Sequence, residues 1–433
     1  MKTAMNPILP IQYFIPDAEA RDWNGRLYLY GSLDISGDTS YCSARYHVFS
    51  SGDLEHWTDH GQSFDLSTSH CPGAGRLYAP DCICRDGQYY LLYCADDGSE
   101  GMAVSNKPEG PFGNAVGIRG ADRGGIDPAA LLDDDGNCYY FWGQFSLKGA
   151  RMNDRLDALD ANSIVTGVLT EEGHGFHEGA SIRKRNGIYY LVYTDISRGR
   201  ATSLAYATSH APLGPYQKRG IIIDNTGCDP ETWNNHGSIA EFNGRWYVFY
   251  HRSSHASKFS RRACMEPIAF REDGSIDEVE MTTQGASAPI RATETVDAYR
   301  ACLLSGKVRS ESLHQLDAGE AHLESLTGIH SGDWAAFKYL EFHENVSAFS
   351  ATLGSPVGGG ILEVRCDHQN GPLLCACAAP LTGGWKIWQK VEAKLQLPVT
   401  GIHAIYLVFR GGQGRLFDLL DFSFMTDSQT LVR

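Results

Sequence analysis

The chain has 433 residues, too many for one ordinary core and suited to two domains. Thirty-seven basic against fifty-two acidic residues give a net charge of −15, so the surface repels nucleic acid and anionic membranes; no Lys/Arg-rich run argues otherwise. A neutral ligand such as a sugar is more compatible with that charge.

In chain order, the first elements are five copies of one hairpin. They are Asn24-Gly-Arg-Leu-Tyr-Leu-Tyr30, Asp86-Gly-Gln-Tyr-Tyr-Leu-Leu-Tyr93, Asp135-Gly-Asn-Cys-Tyr-Tyr-Phe-Trp142, Asn186-Gly-Ile-Tyr-Tyr-Leu-Val-Tyr193 and Asn243-Gly-Arg-Trp-Tyr-Val-Phe-Tyr250. Asn-Gly or Asp-Gly before an apolar run is the strongest short-range hairpin signal. The glycines at 25, 87, 136, 187 and 244 are 62, 49, 51 and 57 residues apart. Strand repeats of about 40 to 50 residues indicate propeller blades. The fold expected for residues 1–288 is an all-β, five-bladed β-propeller. Gln284-Gly-Ala-Ser-Ala-Pro289 reads as a linker.

Beyond it the repeat stops. Six strands are predicted over residues 335–342, 346–353, 360–366, 385–397, 402–410 and 416–424. Short, regularly spaced strands suggest an antiparallel β-sandwich over residues 295–433.

No run of 18 apolar residues occurs, so no membrane-spanning helix is expected. The N-terminal stretch lacks a hydrophobic core of signal-peptide length, which points to a cytoplasmic protein or to a secreted one whose signal has been removed. The twelve cysteines contain no Cys-x-x-Cys and are expected to be buried free thiols.

A polar residue precedes each hairpin: Asp17, Asp81, Asp127, Glu178 and His236, at 8, 6, 9, 9 and 8 residues before the turn glycine. Any one of these acids could merely cap a turn. One per blade at a nearly constant offset is more than turn chemistry needs. Equivalent positions of successive blades converge around one axis, so the repeat should gather the carboxylates and the histidine at one mouth of the channel. Two convergent carboxyl groups are the minimum equipment for glycoside hydrolysis, one protonated and one ionised. A third nearby acid raises the proton donor's pKa by repulsion. Asp81, with its shorter offset, reads as structural. His236 reads as a core histidine or as a ligand of an axial ion. Arg261 and Arg262 are candidates for holding sugar hydroxyls. Trp23, Trp57, Tyr78, Trp142, Trp233 and Trp246 are mostly core candidates, with one or two available to stack on a sugar.

The order Asp17, Tyr78-Ala-Pro-Asp81, Ile126-Asp-Pro128, Glu178-Gly179, His236-Gly237 and Arg261 resembles glycoside hydrolase family 43 over residues 5 to 285. Its members are five-bladed propellers that invert configuration at an arabinofuranoside or xyloside. The resemblance implies Asp17 as general base, Glu178 as general acid and Asp127 as the acid that tunes the donor. It implies His236 as an axial histidine facing a calcium ion, and Arg261 as a sugar-binding arginine. Calcium would be structural or site-organising, and no organic cofactor is implied. Pro16-Asp17-Ala stands where the family usually has Ala-Asp-Pro.

The second domain resembles carbohydrate-binding module family 6 through Ser331-Gly-Asp-Trp-Ala-Ala-Phe337, Gly360-Ile-Leu-Glu-Val-Arg365, Thr382-Gly-Gly-Trp385 and Leu416-Phe-Asp-Leu-Leu-Asp-Phe-Ser-Phe424. That family sandwiches a sugar between two aromatics beside an Asn. Here Trp385 fits one aromatic, Phe337 occupies the other place and Asp418 stands for the Asn. The expected substrate is arabinoxylan-type polysaccharide or its oligosaccharides, cut by an exo-acting enzyme releasing α-L-arabinofuranosyl or β-D-xylosyl groups. The competing readings are a non-catalytic sugar-binding propeller and a retaining five-bladed fructosidase. The second lacks its Asn-Asp-Pro and Arg-Asp-Pro here.

Overall fold

Tight turns organise the first domain. In this computed structural model, which describes residues 5–71, 73–313, 324–343 and 345–426, four of the five predicted turns place both central residues at positive φ. These are Asn24-Gly25, Asp86-Gly87, Asn186-Gly187 and Asn243-Gly244. That is the type I′ geometry, whose twist matches a hairpin. In the third hairpin only Gly136 is left-handed, and its N–H reaches back to the Asp133 carbonyl.

The hairpins grow into five antiparallel sheets, four of four strands and one of three. Their first strands are Glu19–Asp22, Asp81–Arg85, Ala129–Leu132, Phe176–Arg185 and Ser238–Phe242. Each adjoins the next, and the fifth adjoins the first, bridging Ala18 to Gly237. The residues 6–8 close the ring on the three-stranded sheet. The Asn6 amide bonds the Met265 carbonyl at 3.1 Å, and the Ile8 N–H bonds the Ala263 carbonyl at 3.0 Å.

The ring explains the unbroken apolar runs. Each sheet is covered on both faces, so alternate residues of one hairpin strand feed two cores. Tyr89, Leu91 and Tyr93 pack with Tyr28, Tyr46 and Phe64 of the first sheet. Leu92 instead packs with Tyr140 and Trp142 of the third. The axis below the mouth is filled by charge. Arg21 bonds Asp81 at 2.7 Å and Glu19 at 3.1 Å, and Arg183 bonds Glu19 at 2.5 Å. Asp81 reads as structural here too: it also accepts from the Ala130 N–H at 2.8 Å and from the Cys82 N–H at 2.6 Å.

The second domain is a sandwich of two six-stranded sheets around one core that includes Phe337, Phe349, Phe422 and Phe424. The predicted strands are present, one of them shortened, and unpredicted strands join them, among them Arg309–Ser312 and Glu324–Thr327. The strand expected over 385–397 is only Gln389–Lys394, because Gly383 and Gly384 shape a turn at Trp385 and Pro398 follows. A strand not predicted, Leu373–Ala378, carries Cys375 and Cys377 on one face. All twelve cysteines are free and only Cys84 is incompletely buried. The ends of the two predicted domains, residues 1–4 and 427–433, lie outside the described residues.

Candidate active site

Asp17 and Asp127 each lie two residues before an innermost strand, Glu178 is the third residue of another, and His236 lies two before the last. The closed ring therefore carries them to one mouth, as the spacing predicted. Asp17 and Asp127 both hold φ near 58°, a left-handed conformation that aspartate tolerates and that turns each side chain inward from its strand. Two glycines permit the close approach. A Cβ on Gly179 would lie 2.9 Å from the His236 ring, and one on Gly237 would lie 1.9 Å from the Phe249 carbonyl oxygen. This is why glycine follows Glu178 and His236.

His236 joins two of the acids. Its Nδ1 is 3.7 Å from Asp17 Oδ1 and 3.8 Å from Asp127 Oδ2. Asp17 is 5 % exposed, and Arg261 Nη1 donates to its Oδ1 at 3.0 Å. His251, which the sequence did not single out, lies 3.6 Å away on the other side. Burial alone would raise the Asp17 pKa, yet its neighbours, Arg261 foremost, outweigh it and hold the carboxyl below its ordinary value. Asp17 is therefore ionised at neutral pH. His251 is fixed as the neutral Nε2–H tautomer: Nε2 faces the Asn234 carbonyl at 3.1 Å and Nδ1 accepts from the Asp17 N–H. Burial, helped by Arg261, pushes its pKa down to about 3.

Asp127 goes the other way. Burial first, then Glu178, Asp17 and Glu100, push it well above the usual carboxylate range. Glu178 is more open than Asp127 and accepts a 2.7 Å bond from Gln144 Nε2 on its Oε2. One acid is thus held low by its neighbours, Arg261 foremost, and Asp127 is pushed high by burial and by the carboxylates around it. That is the charge division a glycosidase needs.

Arg261 is 2 % exposed, with its guanidinium taken up by neighbours. Nε and Nη2 bond Asp34 at 2.9 Å each, Nη1 bonds Asp17, and its plane lies 4.7 Å from the Tyr41 ring. The structure makes it a buried partner of Asp17 and Asp34. Arg262 points away from the mouth, to Glu324 of the second domain. Gln144, Asp34 and Glu100 were also missed, since each lies outside the hairpin offset that marked the others. Of the tryptophans, Trp142 is buried, while Trp233 is 48 % exposed on the loop leading to His236. Phe145, beside Gln144, is 50 % exposed. Both rings stand close in sequence to residues of the mouth, with Lys258 Nζ 5.9 Å from the Trp233 ring and His177 5.2 Å from that of Phe145.

In the second domain the expected aromatic pair does not form. Phe337 is fully buried against Phe422 in the sandwich core. Trp385 is half-buried, with the Arg415 guanidinium 3.9 Å from its ring, and Arg415 is in turn held by the buried Asp418 at 3.0 Å. The Trp385 face that a sugar would use on that side is thus already covered by a cation.

Residues 4–276 match the model of glycosyl hydrolases family 43, and residues 309–426 match that of carbohydrate binding module family 6. A protein of Thermoclostridium stercorarium named xylosidase/arabinosidase is 31% identical over 98% of this chain and 100% of its own length. The arabinoxylan arabinofuranohydrolase of Bacillus subtilis, solved with cellotetraose, superposes with a TM-score of 0.55 at 25% identity, covering 98% of this chain and 99% of that one. A β-xylosidase/α-arabinofuranosidase from a compost microbial metagenome, solved with xylotriose in a form described as calcium-free, gives a TM-score of 0.57 at 30% identity. It covers 65% of this chain and 98% of that one.

Proposed function

Because this chain belongs to glycosyl hydrolases family 43 and is a glycosidase that carries a family 6 carbohydrate-binding module, we propose that it releases α-L-arabinofuranosyl or β-D-xylosyl groups from arabinoxylan-type polysaccharide or its oligosaccharides, acting from the outside and inverting configuration. The observation that carries the reading is the opposite tuning of Asp17 and Asp127 at one mouth. A merely sugar-binding propeller needs no proton donor.

In this reaction Asp17 takes a proton from water as the water oxygen attacks the anomeric carbon. The bond to the leaving oxygen breaks as Glu178 gives that oxygen its proton. Asp127, the buried acid of the mouth, supports the donor and orients the sugar. Arg261 and His251 hold Asp17 in place, and Gln144 holds Glu178. Trp233 and Phe145 offer faces on which the sugar stacks.

Inversion requires room for a water between base and sugar, so the carboxyl groups of Asp17 and Glu178 should be separated by about 6.5–9.5 Å. Proton NMR of the first-formed sugar should show the anomer opposite to that of the substrate. Retention would exclude Asp17 as a base. A panel of aryl arabinofuranosides and xylosides should then establish which pentoside is preferred.

Calcium enters through His236. Among the described residues the one trio of metal-type ligands drawn together is Cys366, Asp367 and His403, in the second domain, not at the mouth. Calcium takes six to eight oxygen ligands. One imidazole with carboxylates 3.7 and 3.8 Å from it does not build such a cage, and it fits the ion only if water supplies the other ligands. An ion so held would organise charge at the mouth and add little to the fold. Chelation followed by dialysis should then lower activity more than melting temperature. Full activity in calcium-free protein would make His236 a sugar contact or a core histidine.

A further inference from the structure

The left-handed Asp17 is strained, and strain of this kind persists only where the surroundings over-determine it. Two chain segments hold this residue. One is the stretch leading into it, Ile11 to Pro16. The other is the strand Ser257–Ile268, which carries Arg261 to its carboxylate. Arg262, the next residue on that strand, touches both. Its Nη2 donates to the Ile11 carbonyl at 2.8 Å and its guanidinium lies 4.4 Å from the Phe14 ring, three residues before Asp17.

What fixes Arg262 comes from the other domain. Glu324, 3 % exposed in the sandwich strand Glu324–Thr327, accepts from Arg262 Nη1 at 2.8 Å and from Nη2 at 2.5 Å. Its Oε1 also faces His255 Nε2 at 2.9 Å. His255 and Ala256 form the tip of the hairpin that starts the Arg261 strand, at φ of 61° and 48°, without the glycine such a turn favours. Ser310 of the sandwich and Asp229 bond the two N–H groups of that tip, at 3.4 and 3.1 Å. His255 also lies edge-on to Phe14, with ring centroids 5.2 Å apart. A strained hairpin and a strained aspartate are thus pinned at one buried carboxylate.

We infer that Glu324 of the carbohydrate-binding module is a positioning residue for hydrolysis, holding through Arg262 and His255 the two segments that aim Asp17. The inference rests on the reading of Asp17 as the base. Removing the carboxylate leaves Arg262 buried without its counter-charge, a costly state. The guanidinium then hydrates or swings, and in either case it releases Ile11, Phe14 and the Arg261 strand. The second domain is on this account part of the catalytic unit even for substrates that never touch it.

The test uses the full chain and an aryl pentoside with a good leaving group, so that proton donation does not limit the rate. Each variant is assayed well below its own melting temperature. Glu324→Gln keeps acceptors for Arg262 but loses the charge, and should lower kcat about tenfold; Glu324→Ala should lower it about 100-fold, the scale of a small misplacement at a reacting centre. KM should stay within about twofold in both, since only the reacting geometry changes. The inference is overturned if kcat stays within about threefold of wild type, or if the loss falls on KM. If Glu324→Ala does not fold, Glu324→Gln carries the test alone. Asp17→Asn in the same chain separates the two levels: full activity there removes the base itself, whereas an inactive Asp17→Asn beside normal Glu324 variants removes only the positioning role.

Discussion

Asp17→Asn should lower kcat by about 10³–10⁴-fold, and by a similar factor on natural oligosaccharides and on activated aryl glycosides. The amide keeps the size of the side chain and can still meet the surrounding donors, but it cannot take a proton from water. Water attack is required whatever the leaving group, so the loss should not depend on it. The pH profile carries a second reading of the same residue. Asp17 is held below its ordinary pKa, foremost by Arg261 against the opposing effect of burial. Activity that depends on its ionised form is present above that pKa and is lost as pH falls through it. Arg261→Met removes the principal cation and leaves burial in place. The acid limb of kcat/KM should then move to higher pH. A variant Asp17→Asn retaining more than about a tenth of wild-type kcat would remove it from the base role.

The parts of this site that were legible in the sequence are those that ride on the hairpin repeat. A closed ring of like sheets maps equal offsets onto equal places, so Asp17, Asp127, Glu178 and His236 could be placed together from their distance to a turn glycine. Asp81 falls out of the set for a physical reason: it begins its strand rather than preceding it, and there it meets Arg21 in the axis. What could not be read is what reaches the site by other routes. His251 arrives on the second strand of the fifth sheet, Asp34 on the loop after the second strand of the first, and Gln144 on a loop after the third hairpin. Their side chains matter through pairing across the ring, which no local pattern encodes. The same limit applies to Arg261 and Arg262. Adjacent residues on a strand face opposite ways. One therefore serves the base and the other the second domain, although in sequence they look alike. In the sandwich, the motif around Phe337 marks a core position, because alternation places that ring between the sheets.

Glu178→Ala should divide substrates by leaving group. On arabinoxylan oligosaccharides, whose departing sugar oxygen needs a proton, kcat should fall by about 10³–10⁴-fold; on dinitrophenyl glycosides, whose leaving group departs as a stable anion, the loss should stay near tenfold or less. Two carboxyl groups compete for this role, and their settings differ. Asp127 is 6 % exposed and sits under the repulsion of Glu178, Asp17 and Glu100. Glu178 is the more open of the pair, on a strand that the glycine after it lets pass close to His236. Gln144 steadies one of its oxygens at 2.7 Å. On the proposed reading Glu178, the more open of the two, meets the leaving oxygen, and Asp127 is the buried acid that supports it. Asp127→Asn removes the repulsion while leaving the donor, so its loss should follow leaving-group basicity much less steeply than that of Glu178→Ala. The measurement is kcat/KM for each variant across a series of aryl pentosides of falling leaving-group pKa. A steep dependence for Glu178→Ala beside a shallow one for Asp127→Asn assigns the acid. Equal losses for Glu178→Ala on natural and activated substrates would take the proton-donor role from it, and a steep dependence for Asp127→Asn in its place would move that role to Asp127.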